Sequence, residues 1–212
     1  VANPLLVKES VEEFAARLAA GTPTPGGGSA SALAGSLAAA LVQMVCDLTI
    51  GKEAYRSHEA ALKSMSGRAD RLRRSLLELV DRDALAYEQV IQARRRPKAT
   101  DAEKAARQDA ISLANRLATE VPLLTAEACA ELLTLAVELA AKGNRNAASD
   151  VGTAALLAHA GLLGGVLNVN ANLPGLADAD WVAQAAGRVR TLEAEGSKTR
   201  ARCLEVLASV KP

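Results

Sequence analysis

Apolar positions recur at helical spacing along almost the whole chain. Val11, Phe14, Ala15 and Leu18 follow Ser10 at intervals of three and four residues, which predicts an amphipathic helix stopped by Gly21. Thr22 to Gly28 read as a loop, and Ser29 as the cap of a long helix reaching about Ile50 and Gly51. The next helical pattern runs from about Tyr55 to Arg96 and stops at Pro97; Gly67 inside it allows one helix or two. Thr100 with Glu103 three residues on forms a capping-box pattern, opening a helix through about Glu120. Pro122 is expected to open another, ended by Gly143-Asn144, and Ser149 or Asp150 to start the one after it. Pro174-Gly175 breaks the chain before a last amphipathic helix from about Asp178 to Val210. No segment holds a convincing strand pattern. The expectation is an all-α fold, a single-domain bundle of about six to eight helices over residues 1–212.

Composition sharpens this picture. Half of the 212 residues are apolar but only four are aromatic, so the core is built from Ala, Leu and Val. Ala and Leu are strong helix formers, and small side chains let helices approach closely. Leu18–Cys46 and Val151–Ala177 carry no Lys, Arg, Asp or Glu. Prolines, glycines and the polar residues Asn168, Asn170 and Asn172 interrupt them, so both read as buried central helices rather than membrane spans. Their apolar surface exceeds what one small bundle easily covers, which predicts a homodimer or larger assembly.

The formal charge is +1 with both signs interspersed, a poor footprint for nucleic acid. Arg94-Arg95-Arg96 is the local exception, and cations suit a helix C-terminus. Cys46, Cys129 and Cys203 are odd in number and widely spaced, which argues against a disulfide framework and for a reducing cytosol. The N-terminus lacks a signal-peptide pattern.

Three places hold candidate chemistry. Pro25-Gly26-Gly27-Gly28-Ser29 precedes a helix, where backbone amides without side chains in the way suit an anion or a polar ring edge; a tight interhelical turn explains the same residues. It is neither a Walker loop nor a dinucleotide fingerprint. The second is Asp83. At ~100° per residue, Leu72, Leu76, Leu79, Val80, Tyr87 and Val90 fall within about 60° of it, whereas Asp81 lies roughly 160° away. A carboxylate on an apolar face is either paired structurally or used, and burial raises its pKa into the range of acid/base catalysis. The third is the polar set Asn144, Asn146, Ser149 and Asp150 with Asn168, Asn170 and Asn172, which brackets the second charge-free helix. Capping explains each singly; together their amides suit a heterocycle edge. His58 and His159 have no metal-ligand partner at helical spacing, and no metal site is expected.

Several blocks stand in series along the chain: Pro23-Thr24-Pro25-Gly26-Gly27-Gly28-Ser29, Met44 to Lys52, Val80-Asp81-Arg82-Asp83, and Arg96-Pro97-Lys98 with Glu103-Lys104 and Arg107. Gly143-Asn144 with Ser149-Asp150, and Asn168-Val169 with Asn172-Leu173, complete the series. In this order the blocks resemble the cyclodeaminase/cyclohydrolase family, which comprises bacterial methenyltetrahydrofolate cyclohydrolases and the cyclodeaminase domain of formiminotransferase-cyclodeaminase. The resemblance implies an all-α homo-oligomer acting on a tetrahydrofolate derivative without a cofactor. It implies Asp83, the second Asp of the family's Asp-x-Asp motif, as the acid/base residue. It also implies Pro25, Gly26, Gly27, Gly28, Ser29, Lys98, Asn144, Asp150 and Asn168 as substrate contacts. Hydrolysis of 5,10-methenyltetrahydrofolate is the leading expectation, favoured by the stand-alone form; cyclodeamination of 5-formiminotetrahydrofolate is the second, and a non-catalytic helical dimer the third.

Overall fold

The computed structural model describes residues 5–209, and those residues form six α-helices and four short 3-10 turns, with no strand among them. The helices are α1 (Val11–Ala19), α2 (Gly27–Thr49), α3 (Glu59–Arg95), α4 (Asp101–Lys142), α5 (Ala148–Asn172) and α6 (Ala179–Ser209). The all-α expectation holds. The Val210 end of the expected last helix lies outside the described residues.

Local chemistry explains most boundaries. Ser10 and Thr100 each form a capping box, with Glu13 and Glu103 respectively, so α1 and α4 begin where the side chains satisfy the free amides. Gly21 ends α1 in the left-handed region, with φ 68°. Arg107 donates to the carbonyl of Arg94 at the end of α3, whose last turn is basic.

Four boundaries correct the sequence expectation. α2 starts two residues before Ser29, with Gly26 as its cap, so Ser29 lies inside the first turn. α3 begins at Glu59, after a 3-10 turn over residues 53–58, rather than at about Tyr55, and it runs unbroken through Gly67, one of the two arrangements expected. α5 is capped by neither Ser149 nor Asp150: Asn144 caps the 3-10 turn Arg145–Ala147, and α5 continues from that turn.

The fourth correction is Pro122, which lies inside α4 instead of opening a new helix. A proline has no N–H for the carbonyl four residues earlier, here that of Ala118. Asn172 of α5 supplies the missing donor, its side-chain nitrogen lying 2.8 Å from the Ala118 oxygen. The orphaned acceptor is thus satisfied from outside, and the helix continues for five more turns.

α2 and α5 lie at the centre, packed on each other and flanked by α3 and α4; α6 covers α4 and α5. One core cluster draws on all six helices. α2 and α5 meet through small residues: a methyl at Gly161 would stand 2.8 Å from the backbone oxygen of Ser31, and one at Gly164 would overlap the Ser31 hydroxyl. By length and composition alone, α2 and the stretch Arg145–Gly175 are long and apolar enough to cross a membrane, and each buries about half of its most apolar window inside this chain. Their outward faces remain apolar. Leu37, Met44 and Leu48 on α2 and Leu156 and Leu167 on α5 are exposed.

Candidate active site

The first turn of α2, the middle of α3 and the C-terminal end of α5 enclose a cavity of about 490 Å³. Its lining includes Gly26, Gly27, Gly28, Asp83, Asn168 and Asn172, which the sequence brought forward. The cavity also takes in Thr24, Tyr87, Arg94 and Asn115.

Asp83 is the chemical centre. Its Oδ2 accepts from the backbone N–H of Ser29 at 2.8 Å and lies 3.0 Å from the Ser29 hydroxyl. Its Oδ1 accepts no hydrogen bond from the described residues. Burial pushes the carboxyl above the usual Asp range, and the two Ser29 hydrogen bonds oppose that shift. The approach of Asp83 to the backbone depends on Gly28: a methyl there would sit 2.5 Å from the Asp83 Cγ. Gly27 is different, because a methyl would meet only the Asn168 side chain at an ordinary 3.5 Å. The glycine run therefore serves the carboxylate at one position and opens the loop at the others.

The asparagines are oriented by their neighbours. Asn168 donates its amide N–H to the Gly164 carbonyl, Asn172 to that of Ala118, and Asn115 to that of Gly175. A carbonyl oxygen only accepts, so each amide must turn its nitrogen that way. Each side chain is left with its oxygen free. The cavity wall thus offers three amide oxygens, suited to a ligand edge rich in N–H donors.

Other expected contacts fall elsewhere. Pro25 and Ser29 are buried behind the cavity wall, and Ser29 is fully enclosed at 0% exposure. Lys98 sits on the exposed turn between α3 and α4 and does not line the cavity. Asn144 and Asp150 lie at the opposite end of α5, about 30 Å along the helix from Asn168. There the Asn144 backbone N–H donates to Thr49 Oγ1, and the Arg145 N–H to the Tyr55 hydroxyl. Asp81, on the far side of α3, accepts from the backbone N–H of Leu6 at 2.6 Å and ties down the segment before α1.

Tyr87 and Arg94 follow Asp83 by four and eleven residues, so helical spacing on α3 already placed them on one face. Asn172 follows Asn168 by four residues on α5 and belongs to the polar set the sequence offered, whereas Asn115 gave no such signal, because its place depends on contacts between residues far apart in the chain. Of the three consecutive arginines, only Arg94 lines the cavity.

The chain is similar to known proteins along most of its length. The chain is 43% identical over 201 residues to the methenyltetrahydrofolate cyclohydrolase of Methylorubrum extorquens, covering 95% of this chain and 97% of that protein. It is 32% identical over 196 residues to the formimidoyltransferase-cyclodeaminase of Sus scrofa, covering 92% of this chain but only 36% of that longer protein. The crystal structure of formiminotetrahydrofolate cyclodeaminase from Thermotoga maritima superimposes with a TM-score of 0.85 at 28% identity, covering 95% of this chain and 96% of that one. Residues 10–191 match the family described as formiminotransferase-cyclodeaminase, and the chain belongs to that family.

Proposed function

We propose that the protein hydrolyses 5,10-methenyltetrahydrofolate to 10-formyltetrahydrofolate, with Asp83 as the acid/base residue. The observation that carries this reading is the half-buried Asp83 carboxyl, with Oδ1 unpaired on a cavity edged by amide oxygens. The bridging amidinium carbon of the substrate is already electrophilic. Water adds its hydroxyl to that carbon while Asp83 takes the water proton. The bond from carbon to N5 then breaks as Asp83 returns that proton to N5; the added hydroxyl gives up its own proton to solvent by way of the freed carboxylate and becomes the oxygen of the formyl group that stays on N10. One carboxyl of raised pKa serves each transfer. No transfer calls on a metal or a redox cofactor. Along α3, Tyr87 offers a ring surface and Arg94 a cation about 16 Å from Asp83. A folate lying along this face has its reacting ring at Asp83 and its carboxylates at Arg94.

The 43% identity with a cyclohydrolase along almost the full length of both chains favours this reaction. Cyclodeamination of 5-formiminotetrahydrofolate is the second reading, favoured by the likeness to the Thermotoga maritima enzyme. A spectroscopic assay separates the two. Purified protein in the presence of chelator is expected to consume 5,10-methenyltetrahydrofolate above a buffer blank, and Asp83→Asn protein is expected to match the blank. Wild type that matches the blank yet releases ammonia from 5-formiminotetrahydrofolate would replace the first reading with the second.

The outward apolar stripe of α2 (Leu33, Leu37, Leu41, Met44, Leu48) and that of α5 (Leu156, Ala160, Leu163, Leu167) support self-association into a homodimer or larger assembly. The three unpaired thiols support a cytosolic location, and the balanced charge supports a small-molecule substrate over nucleic acid.

A further inference from the structure

The Ser29 hydroxyl has one proton and two acceptors in reach. The Val80 carbonyl lies at 2.9 Å and Asp83 Oδ2 at 3.0 Å. Val80 is inside α3, so its carbonyl already accepts a helical N–H and does not require the hydroxyl. The Ser29 amide, by contrast, is fixed on Oδ2 by the first turn of α2, at 2.8 Å. Because Ser29 is fully buried, no substrate touches it.

We propose that Ser29 is a positioning residue for Asp83: its amide and hydroxyl hold Oδ2 as an acceptor, so that Oδ1, on the cavity side, is the oxygen that exchanges the proton. This assignment rests on the acid/base reading of Asp83 given above. When Asp83 is ionised, the hydroxyl donates to Oδ2, a charge-assisted bond about twice as strong as a neutral one. When a proton arrives on Oδ1, Oδ2 becomes a weaker acceptor and the hydroxyl turns to Val80. The half-buried carboxyl therefore meets a donor matched to its charge in both halves of the cycle. Nothing larger than Gly28 stands between the two residues, because a methyl there would displace the carboxyl from this bond.

The other charged or titratable groups on this cavity are Tyr87 and Arg94, both on α3 itself. α4 contributes Asn115 and α5 contributes Asn168 and Asn172, all neutral, and α2 contributes no titratable side chain to the lining. Ser29 is thus the nearest group able to set the ionisation of Asp83.

The test compares wild type with Ser29→Ala, which keeps the amide and removes the hydroxyl, and with Ser29→Cys, which restores a weak donor. Carbon-13 NMR of Asp-labelled, ligand-free protein follows the carboxyl titration, with Asp83→Asn to assign the signal. The Asp83 titration is expected to move to higher pH in Ser29→Ala and part of the way in Ser29→Cys. The acidic limb of kcat/KM should move with it. On that limb, at fixed pH, kcat/KM should fall about tenfold, as for loss of one hydrogen bond to a charged group. Titrations that coincide in wild type and Ser29→Ala would overturn the proposal, as would a rate loss that is uniform across pH. A displaced NMR titration in a protein that turns over neither folate would leave the Ser29 assignment standing and remove the proposed reaction instead.

Discussion

The two ends of α5 carry similar residues and are put to different uses. Asn144, Ser149 and Asp150 stand at the start, Asn168 and Asn172 at the finish. At the start, Asn144 is held within the chain: its Oδ1 accepts the Asn146 N–H, and Thr49 Oγ1 and the Tyr55 hydroxyl accept the Asn144 and Arg145 backbone amides, away from the cavity that Asp83 lines. At the finish, the amide nitrogens are engaged by backbone carbonyls and the oxygens are left over, beside a carboxyl group from α3. Unfulfilled acceptors facing a cavity are available to a ligand; bonds such as those around Asn144 hold the chain together. The difference lies in what each end packs against, and so it was invisible in the residue types.

The strongest test of this contrast is Asp83→Asn. Loss of the exchanging proton should lower kcat on the order of a thousandfold or more, within the range for a positioned acid/base group. Asp81→Asn should leave turnover close to wild type, since Asn still accepts the Leu6 N–H. Stability should move the other way. The folded carboxyl has a raised pKa, so the folded chain keeps this proton in a pH window where the unfolded chain has lost it. Across that window stability falls as pH rises. Asp83→Asn removes the penalty and should melt no earlier than wild type at neutral pH. The advantage should vanish below about pH 4, where the unfolded carboxyl is also protonated. Melting curves of the two proteins at both pH values check this, and an Asn variant that is less stable at pH 7 would contradict the burial argument.

A finer test lies within the glycine run. Gly28→Ala forces the Asp83 carboxyl away from Ser29 and should cost on the order of a hundredfold in kcat, the scale of a misplacement near 1 Å. Gly27→Ala finds ordinary space and should change stability by no more than about 0.5 kcal/mol. Equal kinetic losses in the two variants would mean that the loop, rather than the position of the carboxyl, controls the site.

The smallest effects compare the two ends of α5 directly. Asn168→Ala should raise KM roughly three- to tenfold, the value of one neutral hydrogen bond, with little change in melting temperature. Thr49→Val removes the acceptor for the Asn144 N–H and should cost about 1 kcal/mol of stability, with kcat and KM unchanged. Denaturant curves and steady-state kinetics on both variants read the comparison. A kinetic defect in Thr49→Val would give the Asn144 end a part in catalysis.

The sequence by itself determined the helical class, the capping box at Thr100, the stop at Gly21 and the placing of Asp83 on the core side of α3. These are local properties, fixed by neighbours within a few residues and by the 3.6-residue period. The same period carried Tyr87 and Arg94, once Asp83 had fixed the face that matters. The tertiary structure decided the rest. Pro122 lies mid-helix because Asn172, fifty residues away in the chain, caps the carbonyl that proline leaves open. Ser29 is a buried partner of Asp83 rather than a helix cap because α2 begins two residues earlier and packs across α3. Asn144 and Asp150 were grouped with Asn168 by residue type, but a rigid helix holds them about 30 Å apart. Long-range hydrogen bonds and helix crossings have no period in the sequence, and they select which polar residues face the cavity.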